Sequence, residues 1–109
     1  MSAKKLQKIE ERIKKIKERL LSIDEMRPGT LTKQYKDPLS KKGAYYQISY
    51  TYRMKSRTEY VKPLLVKDIR QQVKTYKEFK KVVNLWIDLS LEHSRLKMKM
   101  MNRDISLFA

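Results

Sequence analysis

Leu6, Ile9, Ile13, Ile16, Leu20 and Ile23 recur at alternating intervals of three and four residues, with mostly charged side chains between them. That spacing sets six aliphatic groups on one narrow stripe of an α-helix, the pattern of a coiled-coil seam. A short helix with such a stripe needs tertiary packing to hold it, so the chain must supply a second helix. Glu10 precedes Lys14, and Glu11 precedes Lys15, by the four residues that favour ion pairing along a helix face. Ser2 is placed to cap the first turn through its hydroxyl. Arg27-Pro28-Gly29 is expected to end the segment, because the residue before proline is driven out of the helical region. The pattern predicts a helix over 1–26.

The partner lies at the other end of the chain. No Pro or Gly interrupts Asp68 to Ala109, Pro63 stands just ahead, and Asp68 falls where a carboxylate favours a helix N-terminus. Apolar residues recur through Ile69, Val73, Tyr76, Phe79, Val82 and Val83, then Trp86, Ile87, Leu89 and Leu96. This predicts a helix over 66–101, roughly 50 Å long, with a tail over 102–109. Its stripe is broad enough to meet the first helix, a sheet and a second subunit. Leu6, Ile9, Ile13, Ile16, Leu20 and Ile23, with Val82, Trp86 and Leu89, are expected to carry antiparallel helix packing and a homodimer. The basic, Met-rich stretch Lys97 to Arg103 suits either a partner contact or a fraying end.

The middle of the chain changes period. Tyr46, Ile48, Tyr50 and Tyr52 alternate with Gln47, Ser49, Thr51 and Arg53, the signature of a half-buried strand. Ala44 to Arg53 is the first arm of a hairpin over about 45–61, Met54-Lys55-Ser56 the turn, and Arg57 to Val61 the return. Thr30 to Tyr35 can add a third strand. Two strands alone are marginal, so the tyrosine face is expected to turn inward beneath the helices. The fold class is α+β, as one domain: helix, basic β-segment over 27–65, long helix.

Composition then narrows the chemistry. In 109 residues there are 27 Lys or Arg against 12 Asp or Glu, a formal charge of +15. Residues 26–67 hold ten basic and two acidic side chains, over half of the excess. A cationic field of that density concentrates polyanions. Cysteine is absent and His93 is the one histidine, which argues against disulfides, thiolate metal sites and a histidine-based triad. No apolar run approaches the roughly 20 residues that span a bilayer, and no secretory leader is evident, so a cytoplasmic protein with no membrane partner is expected.

Candidate catalytic groups do not assemble into a motif. Glu10/Glu11 and Asp24/Glu25 suit solvated ion pairing, His93 suits a packing or surface role, and Ser49, Thr51 and Ser56 have no histidine near in sequence. No phosphate-cradling glycine loop or nucleophile elbow occurs. The expectation is a binding protein, not an enzyme, with no cofactor, metal or small-molecule substrate. Arg53, Lys55 and Arg57 at the hairpin tip, with Lys33, Lys36, Lys41 and Lys42 around the strands, are the expected contacts to phosphate oxygens. Tyr35 and Tyr45 are expected to be exposed enough to join them, since tyrosines on sheets can stack unpaired bases.

Pro28-Gly29-Thr30-Leu31-Thr32-Lys33-Gln34-Tyr35, then Tyr45-Tyr46-Gln47-Ile48-Ser49-Tyr50-Thr51, resembles a small prokaryotic domain of unknown function with the pattern P-G-S-L-S-x-Q-Y and G-P-Y-Y-x-L-S-Y-T. Its later helix resembles Tyr76-Lys77-Glu78-Phe79 through Trp86-Ile87-Asp88-Leu89-Ser90, so the likeness covers about residues 27–96. Members often neighbour mobile or defence elements, which implies a nucleic-acid or nucleoprotein partner. Many carry three cysteines where this chain has Lys36 to Lys42, so a metal knuckle does not transfer. Two functions follow as expectations. One is a DNA- or RNA-binding accessory protein acting through its basic hairpin. The other is a protein–protein module that docks onto and regulates a nucleoprotein enzyme, such as an RNA-guided nuclease or a transposase.

Overall fold

The computed structural model describes the backbone of residues 2–108 and the side chains of residues 3–102. The fold is α+β: helix α1 (Ser2–Leu21), strands β1 (Thr30–Asp37), β2 (Lys42–Tyr52) and β3 (Lys55–Val61), a 3-10 turn (Pro63–Leu65) and helix α2 (Val66–Phe108). Residues 1–23 with 79–109 form one compact unit, and residues 24–78 form another. Among the described residues, the buried side chains gather into two separate clusters.

In the helical unit, Ile9 and Ile16 bury against Val82 and Leu89, with Ile13, Leu20, Trp86 and Leu96 packed around them. The seam therefore finds its partner within the chain. Glu10 meets His93 at 3.0 Å, and Lys17 lies over the Trp86 ring at 5.6 Å. The position number rises along α1 as it falls along α2, so the pair is antiparallel. The expected capping role of Ser2 involves a side chain outside the described residues.

Both helix ends differ from expectation. α1 stops at Leu21, not at residue 26, and leaves Ile23 outside the helix. The Ser22 hydroxyl donates to the Arg19 carbonyl at 2.6 Å, and the Ser22 amide reaches the same oxygen at 3.1 Å. That local bonding satisfies a carbonyl the helix would otherwise carry forward. α2 instead continues to Phe108, so residues 102–108 are helical and not an irregular tail. Nothing in that stretch of sequence breaks a helix.

In the sheet unit, the strands are antiparallel in the order β1-β2-β3. Leu31 pairs with Ile48, and Ile48 with Glu59; Lys33 pairs with Tyr46, and Tyr46 with Val61. Ile48 is fully buried and packs with Val61, Val66 and Val73, while Leu31, Tyr46 and Ile69 border them. The first turns of α2 thus cover the middle of one sheet face. Pro63 opens the 3-10 turn, where its missing amide costs nothing, and the Leu65 amide donates to the Lys62 carbonyl at 2.8 Å. Approaching the sheet, the Arg27 amide donates to the Gln72 carbonyl at 3.2 Å.

The hairpin turn lies at Arg53-Met54, not at Met54-Lys55-Ser56. Both residues have positive φ, 51° and 65°, and Tyr52 pairs directly with Lys55. A two-residue loop with φ > 0 at both positions has the twist that joins antiparallel strands. Neither residue is the Gly or Asn that normally marks such a turn, which is why the sequence places it later.

Candidate nucleic-acid interface

Moving the turn changes what the strands bring together. Tyr50 lies opposite Arg57, and Tyr52 opposite Lys55, on the same face as Ile48 and Val61. Past Ile48, no buried residue among those described covers this face. The expectation that Tyr46, Tyr50 and Tyr52 all turn into a core therefore holds for Tyr46 alone. Tyr50 is half-buried, and Tyr52 is 59% exposed.

Tyr50, Tyr52, Arg53, Lys55 and Arg57 line an open concavity of about 270 Å³. The Arg53 guanidinium lies 5.2 Å from the centre of the Tyr52 ring, and Arg27 lies 5.1 Å from that of Tyr50. Such stacking holds a flexible cation against an aromatic face. Glu59 fixes the back of the cluster: it accepts from the Tyr50 hydroxyl at 3.0 Å and from Arg27 at 3.2 Å. The Tyr50 hydrogen bond first, then the bond and charge of Arg27, with a smaller contribution from Arg57, hold the Glu59 carboxyl below its ordinary range. Arg27 is thereby neutralised. Among the described residues, Arg53, Lys55 and Arg57 have no carboxylate within ion-pair distance.

The other expected contacts are dispersed. Lys33 and Tyr35 share the face of Arg57, nearer the β1–β2 turn, and Lys33 lies 5.6 Å from the Tyr35 ring centre. Lys42 pairs across the strands with Asp37, and Lys41 stands in that turn with φ 54°. Asp37 organises the turn by accepting from the Ser40 hydroxyl at 2.5 Å and the Ser40 amide at 3.5 Å. Those bonds lower its pKa. Lys36 and Tyr45 fall on the opposite sheet face by the alternation of their strands. The nine expected residues thus form a compact hairpin-end group, a second group near the β1–β2 turn, and two side chains on the reverse face.

That reverse face is polar. Ser49 and Thr58 are joined at 3.1 Å, and Thr51 and Ser56 at 2.8 Å. These hydroxyls pair across the strands with no histidine among them. His93 instead joins Glu10 between the two helices. No cluster of three or more His, Cys, Asp or Glu suited to a metal ion occurs among the described residues. No helix among them is long and apolar enough to cross a membrane.

Sequence reasoning missed Tyr50, Tyr52 and Glu59 as members of the cluster and gave Arg27 a part in ending the first helix. The available signal was the cross-strand register: a turn two residues long places aromatics opposite Arg57 and Lys55, not opposite apolar residues. Comparison with protein families, with curated proteins and with solved structures finds no match.

Proposed function

We propose that the protein is a non-enzymatic nucleic-acid-binding accessory that holds backbone phosphates at the end of its β2–β3 hairpin. The observation that carries this reading is a set of three cations around one open concavity, none of which has a carboxylate within ion-pair distance among the described residues. Phosphate oxygens accept from guanidinium, ammonium and phenolic hydroxyl groups, and Arg53, Lys55, Arg57 and Tyr52 supply all three kinds. The Arg27–Tyr50–Glu59 cluster positions the floor. Lys33, Lys41 and Lys42 extend the cationic field along the sheet. The resemblance to a domain found near mobile and defence elements supports a role beside a nucleoprotein enzyme, in the cytoplasm.

Fluorescence anisotropy with labelled DNA and RNA, single- and double-stranded, tests it across a salt series. Three phosphate contacts on duplex DNA give a log–log slope of about −2.7. Replacing Arg53, Lys55 and Arg57 together by Glu should abolish binding while leaving Tm nearly unchanged, because all three side chains are exposed. Affinity retained in the triple variant removes the hairpin from the mechanism.

A further inference from the structure

α2 carries a second coiled-coil seam. Asn84, Ile87, Leu91, Ser94, Met98 and Met101 recur at intervals of three and four, on a side of the helix distinct from Val82 and Leu89, which α1 covers. Ile87, Leu91, Met98 and Met101 are each about half exposed or more. Val83, Trp86, Ile87, Ser90 and Leu91 line an apolar groove of about 510 Å³. Exposed apolar surface gathered into one continuous stripe marks an interaction site, whereas scattered exposed residues do not.

We infer that a second copy of this chain covers this stripe, α2 against α2, antiparallel. Of the seam first expected to serve a dimer, Leu6 to Ile23, the residues Ile9, Ile13, Ile16 and Leu20 are occupied by α1–α2 packing inside one chain. The flanks of the free stripe identify its occupant. Asp88 and Arg95 sit one heptad apart on the same flank, and in an antiparallel pair like flanks face each other. In the register that sets Leu91 against the partner's Ser94 and Ile87 against the partner's Met98, Asp88 lies on the flank facing the partner's Arg95, two residues or about 3 Å along the axis from its level. Two-fold symmetry repeats the pair.

Neighbouring registers are penalised. A slip of one heptad one way brings Asp88 towards the partner's Asp88, and a slip the other way brings Arg95 towards the partner's Arg95. A parallel pair would set Ser90 against Arg95 and Val83 against Asp88, with no charge compensation. In the favoured register the core layers also match in size: the small Ser94 faces Leu91, and the adaptable Met98 faces Ile87. The stripe is self-complementary in shape and in charge.

Sedimentation equilibrium of the full chain tests this, after nuclease treatment and in about 0.5 M salt, where phosphate-bridged aggregates dissociate. The expected mass is twice the 13.2 kDa of one chain. Leu91→Glu should give the single-chain mass with unchanged helical circular dichroism, since Leu91 lies outside the buried cluster. Asp88→Arg and Arg95→Asp should each weaken the dimer about tenfold, and the double variant should restore it to within about threefold. A single-chain mass at about 100 μM, a dimer that survives Leu91→Glu, or a double variant without restoration would each overturn the inference. A dimer that forms and binds no DNA or RNA rejects the hairpin's role instead, and leaves this interface standing.

Discussion

Gly29 shows how one residue can be fixed by its neighbours. Its φ is 146°, and a Cβ built on it would stand 2.6 Å from Ile48 Cγ1, the most buried side chain of the sheet. Gly29→Ala therefore combines a disfavoured backbone conformation with overpacking, and about 2–4 kcal/mol of stability should be lost in urea unfolding. Glu59 offers a different kind of test. Its folded pKa lies below the ordinary 4.5, so its contribution to stability is present above that value and disappears as pH falls through the depressed one. Glu59→Gln should accordingly melt below the wild type at pH 7. The difference in Tm should shrink to nothing in acid, once the wild-type carboxyl binds its proton and releases Arg27.

At the scale of elements, the β2–β3 hairpin pairs well but turns poorly. Arg53 and Met54 both occupy a left-handed conformation that costs a side-chain-bearing residue about 1–2 kcal/mol. Met54 is almost fully exposed and touches little. Met54→Gly should therefore raise Tm by a few degrees, worth about 0.5–1 kcal/mol after the greater freedom of glycine in the unfolded chain is counted, with nucleic-acid affinity unchanged. The same turn explains what could be read in advance. Alternation from Tyr46 to Tyr52 discloses the strand, Thr30 to Tyr35 discloses most of β1, and a break-free run after Asp68 discloses α2. Turn position depends on backbone conformations that Arg and Met rarely adopt, so it was hidden, and with it the pairing of Tyr50 with Arg57. Charge density alone located Arg53, Lys55 and Arg57. The supporting Arg27–Tyr50–Glu59 contacts join residues 23 to 32 positions apart as well as cross-strand neighbours, and no local pattern encodes them. The end of α1 at Leu21 likewise depends on a hydroxyl–carbonyl bond of Ser22 that the wider period of the aliphatic residues conceals.

For the whole molecule, the two buried clusters divide the labour of the sequence. A strict seam makes one, from Ile9 and Ile16 with Val82 and Leu89; alternation makes the other, from Ile48 and Val61 with Val66 and Val73. Each depends on a different stretch of α2. The formal charge of +15 is spread over both, yet only the segment that builds the sheet carries it with few acids. The antiparallel register of α1 with α2, fixed by Glu10 at His93 and Lys17 at Trp86, has a topological consequence. Continued to the end of α1, it brings the chain's departure from that helix level with α2 near position 80. Within the helical unit, positions 23 and 79 thus lie side by side at the same end of the helix pair. A short flexible link between those two positions would close the helix pair into a hairpin of its own.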